Sequence, residues 1–432
     1  MKNEIEEYFD RLWPLNRSLT GNGNRETLKI LTELIDLKIE EVPSGTKCFD
    51  WKVPPEWNVT SAWVKNSKGE KVIDFARHNL HLLGYSEPYS GKLSFSKLDK
   101  HLYTLPQQPE LIPYITSYYK RRWGFCLSHR DYLALDRSDE YEVLIDSTLD
   151  EQGSMTVAEA VIEGTSDREI LISTYFCHPS LASNELSGVL VAAFVYRELL
   201  MRKKLRYTYR FAFQPETIGT IYYLSKRGNH LKDKLDAGFI LTCIGDGGNF
   251  TYKKSRKGDS LGDRVVSIVL SQAEDVHEII PFSPIGSDER QYCSPGFDLP
   301  VGSLMRTMYE KYSEYHTSAD NKDYISFPAM ESSVRRFLDI IDVLELNKKY
   351  VNQLPFGEPQ LGKRGLYPSL GTQKGNQNEL AAMMWLLNLS DGKNDLMDIS
   401  RRSKIHLSVL SRVLNILVEN NLLKPNSPEQ AI

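Results

Sequence analysis

The stretch "EILISTYFCHPSLASNELSGVL", Glu169 to Leu190, decides how the chain is read. Its first half is a continuous apolar run that turns polar at Cys177 and His178, the pattern of a central parallel strand covered on both faces. Its second half is a short polar turn followed by a helix start, and the helix continues through "SGVLVAAFVYRELLMRKK" with basic residues in its last turns, where the macrodipole favours them. A strand, a polar turn and a helix form one half of a βαβ unit.

Working outward, the same alternation repeats. "YTYRFAFQPE" (207–216) reads as a strand ending in a carboxylate, "TIGTIYYLSKRG" (217–228) as a helix and "LDAGFILTCIGDGG" (235–248) as a third strand. "RVVSIVLS" (264–271) and "LPVGSLMR" (299–306) read as further strand-like runs, and "AMESSVRRFLDIIDVLELNKKY" (329–350) as a long helix. Polar residues collect just past the strands' C-terminal ends, the edge where open α/β sheets bind ligands. Upstream, helical spacing from Glu4 to Lys38 predicts two helices around a turn-rich loop. Alternating runs such as "NVTSAWVKN" and "YEVLIDSTL" predict a mostly β module from about Phe49 to Gly164. Downstream, the Pro/Gly/Lys-rich stretch 353–375 predicts a linker, and three helical patterns after it predict a winged helix-turn-helix.

Bulk properties set limits on function. The 432 residues carry a net charge of −4, so no overall basic footprint for nucleic acid or anionic lipid exists. No run of about 18 apolar residues is present to span a bilayer, and the charged N-terminus is unlike a secretory signal. Five widely spaced cysteines without CxxC predict a reduced, cytoplasmic protein and no cysteine-built zinc knuckle. From Asp391 to Pro425 six basic side chains stand against four acidic ones. That balance is too mild for strong duplex binding, and a docking or dimerising role is expected for the winged helix.

Candidate chemistry sits at the strand ends. His178 is held rigidly enough to be a ligand, or it is a satisfied cap of its strand. Glu185 is a ligand candidate or a carboxylate of the first helical turn. Glu216 could take a proton from a metal-bound water, or simply begin the next helix. His316, in "EYHTSAD", is a ligand, a proton shuttle or a surface residue. Asp246 and Asp288 lie in glycine-bearing loops as ligands, as partners of a histidine, or as Asx-turns. Cys177 neighbours His178 but points to the opposite face, which argues against a thiol nucleophile. In the β module, His81, Tyr85, Arg121, Arg122 and Trp123 are substrate-facing candidates or interface packing.

These segments, together with "NLHLLGYSEPYSG", "YYKRRWGFCLS" and "GSDERQYCSPGFDLP", resemble a bacterial family of aminopeptidase-like proteins of uncertain role, some linked to polysaccharide biosynthesis. More distantly they are similar to the co-catalytic zinc aminopeptidases. The resemblance implies a three-layer α/β/α zinc-exopeptidase domain (1–48 plus 165–352), an inserted mostly β domain (49–164) and a C-terminal linker and winged helix (353–432). It implies His178 and His316 as zinc ligands and Glu216 as general base, with Asp246 near a further zinc carboxylate and Ser287 and Asp288 matching a serine-aspartate pair. Asn184 and Thr217 stand where that superfamily has a bridging aspartate and a ligand glutamate. Two negative charges are lost, so the expectation is one Zn(2+) per chain on His178, His316 and a carboxylate from Glu185 or Asp246. Tyr315 would donate to the oxyanion. The expected activity is hydrolysis of an amide in a small peptide or N-acylated substrate by a homodimeric protein; the alternative is a degenerate binding or assembly protein.

Overall fold

The computed structural model describes residues 1–273, 276–366 and 376–426 and divides into two compact units, Met1–Asp263 with Val276–Phe337, and Arg264–Asp275 with Leu338–Ile432. Part of the stretch expected as a linker, 367–375, lies outside the described residues.

The first unit is built on an eight-stranded sheet of β1 (Lys38–Pro43), β2 (Ser154–Ile162), β3 (Glu169–Tyr175), β4 (Thr208–Gln214), β5 (Leu235–Leu241), β6 (Phe250–Lys253), β7 (His277–Ile280) and β8 (Val301–Met305), in the order β1-β2-β4-β3-β5-β8-β6-β7. The four central strands β4, β3, β5 and β8 are mutually parallel, and the pairs β1–β2, β2–β4 and β6–β8 are antiparallel. Every residue of β3 and β4 is buried, as their unbroken apolar runs require. The buried charge of Arg210 in β4 is answered by two hydrogen bonds of 2.9 Å to Glu169 of β3 and one of 3.0 Å to Glu159.

The helices α1 (Lys2–Leu12), α2 (Asn22–Leu31), α3 (Ser187–Leu200) and α4 (Ile218–Lys234) belong to this unit. In α1, Ile5, Phe9 and Leu12 recur at helical spacing and form its buried stripe. α3 begins against the sheet: a Cβ on Gly188 would lie 2.2 Å from the Leu241 carbonyl oxygen and 2.8 Å from Thr174 Oγ1. Only a glycine lets the helix start so close to the C-terminal ends of β3 and β5, and that contact sets the height of the turn before it.

A separate four-stranded antiparallel sheet, in the order Lys71–Asp74, Glu56–Lys65, Glu140–Asp150, Tyr89–Ser94, supplies the inserted β region. The segment 154–162, read from sequence as part of that region, instead pairs with β1 and β4 in the large sheet. Alternation marks a strand but not the sheet it joins. "RVVSIVLS" also differs from its strand-like reading: Leu261–Gln272 is helical, and a short apolar run of this kind cannot be assigned by periodicity alone.

In the second unit, helices Asn376–Leu389, Leu396–Ser403 and Leu407–Glu419 pack around Leu386, Leu396, Leu410, Val413 and Leu417. Asp395 and Asp398 form a reciprocal capping box at the start of the middle helix. Strand Lys349–Asn352 pairs with Asp391–Asp395 and Leu423–Pro425, so the C-terminal module begins before the expected boundary at 353. Among the described residues no helix is long and apolar enough to cross a membrane.

Candidate active-site cleft

β3 ends at Tyr175, and the turn 182–186 carries Glu185 back beneath the residues that follow the strand. Glu185 Oε2 accepts hydrogen bonds from the Cys177 amide (2.6 Å), the His178 amide and His178 Nδ1 (2.9 Å), while Oε1 accepts from Arg17 Nε at 2.6 Å. Both members of the Arg17–Glu185 pair are fully buried, and the guanidinium offsets the cost of enclosing the carboxylate. An ionised carboxylate only accepts, so His178 donates to it from Nδ1–H, and Nε2 faces the opposite way. Burial opposes a charged His178, but Cys177 and Glu185 outweigh it and hold the imidazole well above its usual range.

Glu216 stands on the Nε2 side, with Oε2 3.7 Å from that nitrogen and a side chain 23% exposed. Ser287 Oγ donates to its other oxygen at 3.4 Å, and Cys177 Sγ accepts from its amide at 3.2 Å. Burial raises the Glu216 carboxyl above the ordinary range against the pull of His178 and Arg290. Asp288 is buried nearby, accepts from the Thr217 amide (2.8 Å) and Thr220 Oγ1 (2.7 Å), and is pushed up to about 7, first by burial and then by the Glu216 charge. Asp288 thereby fixes the turn that carries Glu216, with Thr217 held in the left-handed region at φ 63°.

His316 comes from the late loop. Its ring centroid is 5.5 Å from that of His178, and Tyr315 stacks on it at 3.9 Å. Burial, aided by His178, lowers the His316 pKa to about 3, so the ring is neutral. Its Nε2 is buried without a hydrogen-bond partner. Tyr315 has its hydroxyl pushed up by burial, which keeps it protonated and able to donate.

The structure therefore brings His178, Glu216, Tyr315 and His316 together. Asp246 is held in another arrangement: it accepts from the Gly248 amide (2.6 Å), Thr307 Oγ1 (2.7 Å), the Thr307 amide (3.2 Å) and Ser183 Oγ (3.4 Å), a loop clip of the Asx type. Glu185 lies behind the His178 ring with four donors on its two oxygens. Cys177, His178 and Glu185 do place ligand-type atoms within 4.8 Å of one another. The Cys177 thiol, however, is pushed up to about 11 by burial, and Glu185 is already satisfied. This trio is better suited to orienting the ring than to coordination.

Two imidazoles with ring centroids 5.5 Å apart, one with a buried nitrogen that has no partner, supply donors for at most a single divalent ion. A second ion does not fit. Asn184 offers a neutral amide whose Nδ2 is buried without a partner, Thr217 offers a hydroxyl that accepts from Arg290, and Thr242 is paired with the Tyr175 hydroxyl at 2.6 Å.

Three contributors were not foreseen. Tyr114, from the inserted region, packs against both rings, with centroids 5.2 Å from His178 and 5.1 Å from His316. It is carried there by a backbone clasp, in which the Tyr114 amide donates to the His316 carbonyl (2.8 Å) and the Ser318 amide to that of Ile112 (2.9 Å). Tyr118 meets the Tyr114 hydroxyl at 3.0 Å, and Arg17 arrives from the loop after α1. The other candidates of the β region have local partners: His81 the Cys126 carbonyl, Tyr85 Thr20, Arg121 Glu151 and Arg122 the Thr116 carbonyl. Trp123 lies between His101 and Tyr89, with ring centroids at 3.6 and 4.2 Å.

Residues 6–347 match the profile of DUF4910, a domain of unknown function, and residues 348–425 that of a winged helix-turn-helix. The chain belongs to the DUF4910 family. A Clostridium acetobutylicum relative, provisionally named a polysaccharide biosynthesis protein with an aminopeptidase-like domain, is 45% identical over 421 residues, 98% of this chain and 96% of its own. A crystal structure of a provisionally named peptidase from the same organism superposes with a TM-score of 0.92 at 43% identity, covering 98% of this chain and 96% of that one. The zinc aminopeptidase of Bacillus subtilis shares the fold at a TM-score of 0.59 and 10% identity, covering 79% of this chain and 93% of its own. The DUF4910 domain is thus aminopeptidase-like in fold and is followed by a winged helix.

Proposed function

We propose that this protein serves polysaccharide biosynthesis as a binding or assembly protein on an aminopeptidase-like scaffold, its cleft having lost the carboxylates of a two-metal centre. The observation that carries this reading is the donor set. Asn184, Thr217 and Thr242 are neutral, Asp246 is clipped to Thr307, and Glu185 is committed to Arg17 and His178. The relative's name supplies the biosynthetic context. Arg412 on the long helix of the winged module is paired with Glu379, which favours docking to protein over phosphate contact. The five described cysteines are free, in keeping with a cytoplasmic location; a homodimer completes the proposal.

The orphaned His316 Nε2 and the adjacent Glu216 favour a second reading, a one-metal amide hydrolase acting on a small peptide or N-acylated compound. His178 and His316 would hold zinc, which when bound supplies Lewis acidity and a water acidic enough to ionise near neutral pH. Glu216, its carboxyl raised by burial, would accept the water's proton and return it to the departing amine. Tyr315 would donate to the carbonyl oxygen.

Metal analysis and a turnover screen separate the two. After zinc loading and desalting, the expected result is at most one ion per chain and no hydrolysis across peptides and N-acetylated amino sugars. Turnover that Glu216→Gln abolishes while the metal stays bound would replace the first reading with the second.

A further inference from the structure

A second concave site lies on the first unit, built from the hairpin Lys47–Cys48/Trp51–Lys52, from α4 and from the segment after Asp288. It encloses about 550 Å³, within the range of ligand pockets. The hairpin turn has two residues, Phe49 and Asp50, because Cys48 pairs directly with Trp51. Phe49 occupies the left-handed region at φ 53°, where glycine or asparagine would be unstrained, and its side chain is nevertheless 65% exposed. Trp51 is 41% exposed, and Phe297 meets Phe49 edge to face at 5.7 Å. Phe297 lies on α4 only because residue 228 is glycine; a Cβ there would sit 2.2 Å from its ring.

Asp50, Asn229 and Gln291 line the pocket, and their side chains have no hydrogen-bond partner among the described residues. The charged lining residues, Asp50 and Lys226, cancel. A protein-docking patch would be apolar at its centre, and an anion site would be cationic. Exposed aromatic faces beside uncommitted amide and carboxylate groups match a neutral polyhydroxylated ligand instead. A pyranose presents an apolar C–H face to an aromatic ring and hydroxyls around its rim that both donate and accept.

We infer that this groove binds a neutral or N-acetylated glycan, with Phe49 and Trp51 stacking on sugar rings and Asp50, Asn229 and Gln291 bonding hydroxyls. The site is distinct from the His178–His316 cleft and does not depend on what that cleft does. The bound glycan would lie beside α4, the helix that starts two residues after Glu216.

The test uses the full-length protein on an array of neutral, N-acetylated and acidic oligosaccharides, followed by fluorescence titration of the retained glycan. Retention of a neutral or N-acetylated glycan is expected, with Kd weakened tenfold or more by Trp51→Ala and partly recovered in Trp51→Phe. Phe49→Gly removes the ring while relieving the backbone, so it should weaken binding with the melting temperature unchanged or raised. Glu216→Gln should leave Kd as it is. Retention of no glycan, or retention that Phe49→Gly and Trp51→Ala both leave intact, would overturn the inference. So would a concentration-dependent dimer that Trp51→Ala dissolves without any change in glycan binding.

Discussion

Replacing Arg17 by methionine removes the guanidinium paired with the enclosed Glu185 while keeping the aliphatic stem. The substitution deletes the 2.6 Å bond to Glu185 and a second 2.6 Å bond to the Leu12 carbonyl. Breaking one partner out of a buried ion pair costs about 3–5 kcal/mol. Three donors remain on Glu185 Oε2, which places the expected loss near the lower end, about 3 kcal/mol. Equilibrium urea unfolding of wild type, Arg17→Met, Glu185→Gln and the double variant gives the coupling directly. The double variant should be more stable than the sum of the single losses predicts, by about 2 kcal/mol or more. A loss below about 1 kcal/mol for Arg17→Met, or a double variant equal to the sum of the singles, would refute the claim that this pair anchors the turn beneath His178.

Gly188→Ala should cost about 1–3 kcal/mol, because its Cβ meets backbone at 2.2 Å and α3 has to lift from the sheet; thermal unfolding checks it, and an unchanged midpoint would show slack at that contact. The Arg25 hydrogen bonds hold the Glu56 carboxyl down at about 2, below the 4.5 usual for a glutamate. Its contribution is therefore complete above about pH 4.5 and is lost as the pH falls from there toward 2. The stability difference between wild type and Glu56→Gln, measured by denaturation across that window, should shrink accordingly; a constant difference would contradict the assignment.

The α/β frame was legible because β3, β4 and β5 are long apolar runs that end abruptly in polar residues. The same abruptness exposed His178 and Glu216 as candidates: strand ends leave few structural reasons for an imidazole or a carboxylate. His316 stood out only through its polar surroundings. Arg17 was illegible, since a loop arginine read alone is a surface residue, and its partner lies 168 positions away. Tyr114 was hidden for the same reason, its placement depending on a backbone clasp to 316–318. Asp246 shows the opposite failure. Its glycine-rich setting suited a turn somewhat better than a ligand, and only its contacts with Thr307 reveal what the carboxylate holds. The sheet joined by 154–162 and the helix at 261–272 depended on tertiary partners that local pattern does not encode.

The clasp between Ile112–Tyr114 and His316–Ser318 also governs when the cleft comes into being. During synthesis the inserted region emerges early, yet Tyr114 has no partner for its clasp until the late loop leaves the ribosome. Tyr114 therefore takes its place against the two imidazoles only after almost the whole first unit has been translated.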